Sequence, residues 1–403
     1  MSPLSARALS RLRPPARRIA QGAYAALSRQ RLQRRVVLFE SFGGSAMTGN
    51  PYALYAGMRS DARFADHSFV WAVQAPLQHQ VAEQVRDDDA VRVVKYRSPA
   101  YFRALATVPT LINNVTFPAL FRKRPDQFYL NTWHGTPLKR MGIDARDGAN
   151  IQNTVANFRA ADVLLSTSGY MTQVMYEGAY GLSGAGGQIQ ELGYPRIDMQ
   201  FDRVGQQQTR AALAAAGFSV SGRRVILYAP TWRATSAAGI RLELRDVAQV
   251  IKQSQAALDP TRAVVLLRLH DSVATHAKEV PELASCLVAA EVRTNALLGI
   301  TDTLVTDYSS IFFDYLATGS QIVFYTPDAP AYGAVRGLYL GPTELPGPST
   351  SSRAELTRWL SDPPQRGFVP ADQARARYCP REDGAATARV LDLIVQRNRF
   401  SLH

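Results

Sequence analysis

The amino-acid sequence predicts an α/β protein with two parallel-sheet domains. Three observations carry that prediction. Short apolar runs alternate with helix-period stretches from residue 36 onward. The alternation restarts after a turn-like segment near residue 200. The chain has 403 residues, 46% of them hydrophobic, which is more than one core usually holds. Strands separated by helices are joined by crossovers, and crossovers make a parallel sheet covered on both faces. The expected architecture is two Rossmann-like domains facing across a cleft, at 36–200 and 201–403, after a tail at 1–35.

In the first domain "RVVLFES" (35–41) reads as a buried strand, followed by a small-residue turn, "FGGSAMTGNP", and a helix, "YALYAGMRS". "SFVWAV" (68–73), "VRVVKY" (91–96), "TLINNV" (110–115), "QFYLNTW" (127–133) and "DVLLSTS" (162–168) continue the strand series. In the second domain "RRVILYAPTW" (223–232), "AVVLLRLH" (263–270), "CLVAAEV" (286–292), "DTLVTD" (302–307) and "QIVFYT" (321–326) read as strands. "LRDVAQVIKQSQAAL" reads as a helix between two of them. Gly193 and Pro195 mark the junction, and "GPTELPGPSTSS" (341–352) reads as a surface loop. There is no internal repeat of 20–50 residues.

The net charge is +13, and residues 1–35 carry nine arginines and no acid. Pro14-Pro15 divides this tail. Beyond it Ile19, Ala23, Tyr24 and Leu27 fall on one helical face beside Arg17, Arg18, Arg29, Arg31, Arg34 and Arg35. A basic amphipathic helix can lie on an anionic leaflet, at about 1 kcal/mol per basic side chain near the surface; a solvated tail is the alternative. The chain carries no helix-turn-helix or RNA-binding signature, so no nucleic-acid partner is expected. Cys286 and Cys379 form no CxxC pair, which fits a reducing cytoplasm. There is no run of about 18 apolar residues that would span a membrane, and residues 1–35 lack the apolar core of a secretory signal.

Common motifs are missing. There is no GxxxxGK[ST] loop, and "GAGGQI" (184–189) has Ile189 where GxGxxG needs glycine. His270 and His276 are six apart, and HExxH and GxSxG are absent. The positive signals lie at strand ends, where open α/β sheets bind ligands. In "TLVTDYSSIFFDYLATGS" (303–320) a strand ends at Thr306, and Asp307, Ser309 and Ser310 stand where a helix would begin. Serines there can cap the helix, or can bind phosphate with its free N–H groups. "YAPTWR" (228–233) ends another strand with Thr231, Trp232 and Arg233, and "LLRLHDS" (266–272) ends a third with Arg268 and His270. An arginine grips phosphate through parallel hydrogen bonds, although at a strand end it is more often a surface ion pair. "NTWHGTPLKRMG" (131–142) places His134 between Trp133 and Gly135 after a strand.

"NTWHGTPLKRMG", "GYPRID", "YAPTWR", "RLH" and "TDYSSIFFDYL…QIVFYTPD" together resemble, in order, the motifs of the CDP-glycerol glycerophosphotransferases, the teichoic-acid and capsule-type polyol-phosphate transferases. "FESFGG…GNPYALY" and "REDGAATARVLDLI" (381–394) extend the resemblance from about Val36 to the chain end. It implies a two-domain glycosyltransferase architecture of the B type. It also implies transfer of glycerol phosphate, or another polyol phosphate, from a CDP-activated donor to a hydroxyl of a lipid-linked or polymeric acceptor, releasing CMP. On that resemblance His134 is the catalytic base, and His270 and Arg268 hold the diphosphate. Ser309, Ser310 and Asp314 bind the donor's phosphates and polyol. Trp133, Gly135, Thr136, Pro137, Arg196, Pro230, Thr231, Trp232, Arg233 and Thr306 complete the donor-contact positions.

The mechanism expected is attack of the acceptor hydroxyl on the polyol phosphate, with His134 taking its proton. An imidazole of pKa near 6.5 suits that step. Phosphoryl transfer relies on positioning and charge stabilisation. Fixed donors would serve in place of a metal, so no cofactor is expected and activity should persist in a chelator. A sugar transferase on the same architecture, and a non-catalytic binder of anionic polymer, are the competing classes.

Overall fold

The computed structural model describes residues 14–145, 151–233, 236–364 and 367–398. The chain forms two compact units, a mixed α/β fold with one parallel sheet in each.

The first unit comprises the described parts of Met1–His134, Gly148–Arg196 and Ala385–His403. Its strands are β1 (Val36–Glu40), β2 (Ser68–Val73), β3 (Val91–Lys95), β4 (Thr110–Asn113), β5 (Phe128–Asn131), β6 (Val163–Ser166) and β7 (Ile189–Glu191). They pair in the order β3-β2-β1-β4-β5-β6-β7, all parallel. β1, β4, β5 and β6 are buried at every residue, which is why each reads as a short apolar run, closed by a polar residue at its carboxyl end. Phe39 stacks on Trp71 at 5.1 Å, and Tyr55 and Phe69 close around them. Strand order reverses between β1 and β4, so the crevice at their carboxyl ends is the natural ligand site of this sheet.

The second unit comprises the described parts of Gly135–Asp147 and Ile197–Gly384. Its strands β8 (Arg224–Ala229), β9 (Ala263–Leu267), β10 (Thr303–Thr306), β11 (Gln321–Tyr325) and β12 (Ser349–Thr350) pair in parallel in the order β12-β11-β10-β8-β9. Here the reversal lies between β8 and β10. The twenty-residue helix Ala237–Ala256 lays Leu244, Val247 and Ile251 on Ile226 and Val265.

Several expectations change. The chain passes between units at Arg196–Ile197, close to the expected junction, but the described residues 385–398 return to the first unit. The reason is Gly57: a Cβ there would stand 2.6 Å from Thr387 Cγ2, so its missing side chain admits the helix Ala386–Asn398. The described residues 135–145 likewise belong to the second unit. "CLVAAEV" is not a strand. Leu287 makes one bridge to Leu267, and the Ala289 and Ala290 carbonyls turn away to accept from the Arg268 guanidinium. The 341–352 segment is not a surface loop: residues 345–348 are buried, and Ser349–Thr350 forms β12. Gly347 permits this, because its Cα lies directly against the Ile322 backbone with no room for a side chain. The tail helix runs Pro14–Leu27; Tyr24 is buried edge-on to Phe102, whereas Ile19 stays 73% exposed. Residues 1–13 of the expected tail lie outside the described residues.

Candidate active site

In the first unit β5 runs into a turn that presents His134. Trp133 takes φ +49°, a left-handed conformation costly for a bulky residue, and neighbours hold it there. Trp133 N donates to Asn131 Oδ1 (2.9 Å), and Asn50 Nδ2 donates to the Trp133 carbonyl (3.3 Å). Arg196 donates from Nη1 to the His134 carbonyl (2.9 Å) and from its backbone N to Asn50 Oδ1 (3.2 Å). Its guanidinium also lies over the Tyr194 ring at 4.7 Å. Arg196, expected at the donor, is thus engaged with the His134 carbonyl, Asn50 and Tyr194.

The His134 ring leans on Trp133 at 4.3 Å and meets Phe42 edge-on at 5.7 Å. Its Nδ1 lies 2.8 Å from the Asn114 carbonyl oxygen. A carbonyl only accepts, so Nδ1 carries the proton and Nε2 keeps its lone pair. Burial lowers the pKa to about 4; the Asn114 bond opposes this, and the Arg196 charge adds to it. The ring is therefore neutral at pH 7, a weaker base than the sequence suggested but in the right protonation state.

Beneath it, at the carboxyl ends of β1 and β4, lie Glu40, Ser41, Asn113 and Asn114, all 0% exposed. Tyr101 donates to Glu40 Oε2 at 2.6 Å. Burial raises the Glu40 pKa to about 8, with the Tyr101 bond and Arg97 opposing.

In the second unit residues 135–138 are buried. A Cβ on Gly135 would stand 3.3 Å from Ser310 Oγ, so the glycine lets this turn close on the serine. The helix Ile311–Tyr315 starts after Ser310, whose side chain makes no capping bond, while Ser309 Oγ accepts from Ile311 N at 3.3 Å. Asp307 ties the ends of β8 and β10 together: it accepts from Thr231 N (2.8 Å) and pairs with Arg233 (2.7 Å). Burial raises its pKa, and Arg233 opposes. Arg233 also pairs with Asp328 (3.3 Å) and lies over Tyr308 and Tyr332, whose rings stack at 3.9 Å. Lys139 sits over the Tyr332 ring at 5.7 Å, its pKa lowered by burial.

The structure brings Gly135, Ser310, Thr231, Arg233 and Thr306 to the β8/β10 end; Thr306 Oγ1 donates to the Ala229 carbonyl across it. Pro230 and Trp232 flank Thr231, and Trp232 packs on the core. Arg268 is engaged with the Ala289 and Ala290 carbonyls, and His270 is exposed at the start of helix Asp271–Ala277. Asp314 is buried with Asn295 and Gln200: Asn295 Nδ2 donates to its Oδ2 (3.4 Å) and Gln200 to its carbonyl (3.1 Å). Residue-by-residue reading overlooked Lys139, Asp328 and Tyr332. Lys139 lay in plain view five residues past His134, whereas no local pattern marks Tyr332.

The model of the CDP-glycerol:poly(glycerophosphate) glycerophosphotransferase family matches residues 23–396. The chain belongs to that family. It is an enzyme of the glycerophosphotransferase type, which moves a polyol phosphate from a CDP-activated donor. The match begins within the tail helix, upstream of the Val36 where the motif resemblance started. The chain is 30% identical to a teichoic acid glycerol-phosphate transferase of Staphylococcus aureus, over 90% of this chain and 93% of that one. It is 28% identical to a teichoic acid poly(glycerol phosphate) polymerase of Bacillus subtilis, over 91% of this chain and 49% of that one, so it spans about half that polymerase. Among solved structures, the wall teichoic acid polymerase TagF superposes with TM-score 0.78 at 25% identity, over 96% of each chain. A histidine-to-asparagine variant of TagF soaked with CDPG gives 0.79 at 25% identity, over 95% of this chain and 94% of that one. A UDP-N-acetylglucosamine 2-epimerase of Listeria monocytogenes shares the fold at TM-score 0.52 and 12% identity, over 91% of this chain and 97% of that one.

Proposed function

We propose that this member takes glycerol phosphate from CDP-glycerol, places it on a hydroxyl of a lipid-linked or growing teichoic-acid-type polymer, and releases CMP. The observation that carries the assignment of the base is the His134 ring, whose Nδ1 is committed to the Asn114 carbonyl while Nε2 stays unprotonated at neutral pH. Nε2 accepts the proton of the acceptor hydroxyl as that oxygen attacks phosphorus; the phosphoanhydride bond breaks and CMP departs. Burial sets the pKa of about 4. Arrival of an anionic donor favours the imidazolium and raises it toward the useful range.

The donor belongs to the β8/β10 end. Support comes from Ser310, whose hydroxyl does not cap its helix. Arg233 and Lys139 supply positive charge there, and Arg268 and His270 lie at the neighbouring end of β9. In this reading the two parallel-sheet units are the halves of a B-type glycosyltransferase architecture. The preference for glycerol follows the Staphylococcus aureus transferase and the Bacillus subtilis polymerase, which match at 30% and 28% identity over 90% and 91% of this chain, against 27% over 51% for the ribitol-phosphate primase of Bacillus spizizenii. The arginine-rich tail would rest on the anionic inner face of the membrane that carries the acceptor; among the described residues no helix is long and apolar enough to cross a membrane.

The test is to incubate the protein and a glycerol-phosphate acceptor with CDP-glycerol, CDP-ribitol and UDP-sugars in turn, following free nucleotide. CMP from CDP-glycerol is expected. UDP release would make the protein a sugar transferase. No release from any donor, with salt-sensitive retention of anionic polymer, would make it a binding protein.

A further inference from the structure

The turn after β1, "SFGGSAMTG", has no role in the reading above, yet it lies over the β1/β4 switch point beside the catalytic ring. The helix it leads into, Gly49–Ser60, has twelve residues, and its N-cap, Thr48, makes no side-chain capping bond. Helix geometry leaves the first N–H groups without intrahelical partners and gives that end roughly half a positive charge. A second feature points the same way. Asn114 is wholly buried; its Oδ1 accepts from Phe42 N at 2.7 Å, which fixes the amide orientation. Its Nδ2 has no partner among the described residues and faces the first helical residue: a Cβ on Gly49 would stand 3.2 Å from it. Gly49 has φ +70°, so this close approach needs glycine twice over. A buried amide N–H left unmade costs about 1–3 kcal/mol, which is reason to look for an acceptor.

The geometry points to a second anion subsite, built from the Gly49–Ser60 N-terminus and Asn114 Nδ2, that takes the terminal phosphate of the acceptor. It rests on the proposed function, since it supplies the substrate whose hydroxyl His134 deprotonates. The Asn114 backbone carbonyl holds His134 Nδ1 while its side chain meets the phosphate, so one residue sets the distance between anion and base. Phe42, 37% exposed and packed edge-on to the His134 ring, offers an apolar wall for the polyol carbons. Glu40, kept neutral by burial, adds no repulsion. The ligand class is a glycerol phosphate mono- or diester, recognised by neutral donors and a helix end.

The test is calorimetry of sn-glycerol 3-phosphate binding to the full chain saturated with CMP, with glycerol as the uncharged control, for wild type and two variants. Asn114→Asp keeps the Phe42 contact but replaces the donor with a charged oxygen. Thr48→Asp places a carboxylate beside that helix end, where the helix dipole favours it and an incoming phosphate is repelled, so it should fold well. Each variant is expected to weaken glycerol phosphate binding by about tenfold or more. Thr48→Asp should do so with an unchanged or raised Tm, an outcome no purely structural role gives. In transfer assays the acceptor KM should rise while the CDP-glycerol KM holds. Unchanged affinity in Thr48→Asp, equal binding of glycerol, or no binding by wild type overturns the subsite. Because calorimetry reads binding without turnover, failure of the subsite and failure of the transferase reading are separable.

Discussion

The two sheets each reverse strand order once, and the two crevices that result are chemically opposite. At the β1/β4 end most of the buried groups are neutral, namely Asn113, Asn114, Ser41 and a glutamate whose pKa burial lifts to about 8, with Arg196 beside His134 as the charged exception. At the β8/β10 end charged groups gather: the buried Asp307 with the partly exposed Asp328, Arg233 and Lys139, around a stacked tyrosine pair. The same topology therefore provides a place for a ligand but not its electrostatics. The proposed base needs surroundings that leave it neutral, and the proposed nucleotide site needs cations. Each crevice suits one of these demands.

The comparison can be broken most sharply at His134. His134→Ala should lower kcat by about 10²–10⁴-fold, as loss of a general base does, with donor affinity kept; a variant that retains turnover would move the base elsewhere. Next is Glu40→Gln. Between the ordinary carboxylate value of 4.5 and about 8 the folded protein holds a proton that the unfolded chain releases. Wild-type stability should therefore fall with rising pH by about 1.4 kcal/mol per unit across that window. The stability gap between variant and wild type should widen from pH 5 to pH 8 in denaturant titrations; a constant gap would mean Glu40 is ionised in the fold. In the charged crevice the opposite sign is expected. Asp307→Ala leaves Arg233 without its nearest partner and Thr231 N without an acceptor, and should cost about 2–3 kcal/mol, reduced from a fully buried pair because Arg233 is partly exposed. The smallest effect is a displaced pH limb. His134 has its pKa lowered from 6.5 to about 4, so its neutral form is fully present above 6.5 and is lost as pH falls through about 4. The acid limb of kcat/KM, which reports the free enzyme, should lie well below 6.5.

Legibility of the fold tracked length and burial. "SFVWAV" coincides with β2 residue for residue, because a central parallel strand is apolar on both faces. β7 and β12 were missed because three and two residues carry no period. "CLVAAEV" has the composition of a strand, but one bridge is all that its turn and the Arg268 contacts permit. Among the candidate residues, His134 in the first unit and Ser310 and Thr231 in the second were marked by their place after strands. Tyr332 and Asp328 were not, since they reach Arg233 from the far side of β11 and its following turn.

By itself the sequence determined the alternation of strands and helices, the family, and which strand ends carry reactive groups, because these follow from local pattern and motif order. Only the tertiary structure decided that the imidazole is neutral with Nδ1 engaged, that Arg196 donates to the His134 carbonyl, that Asp314 is sealed in a buried network, and that the final helix folds back to the first unit. Those outcomes depend on desolvation and on partners distant along the chain, and neither is encoded in any short stretch of residues.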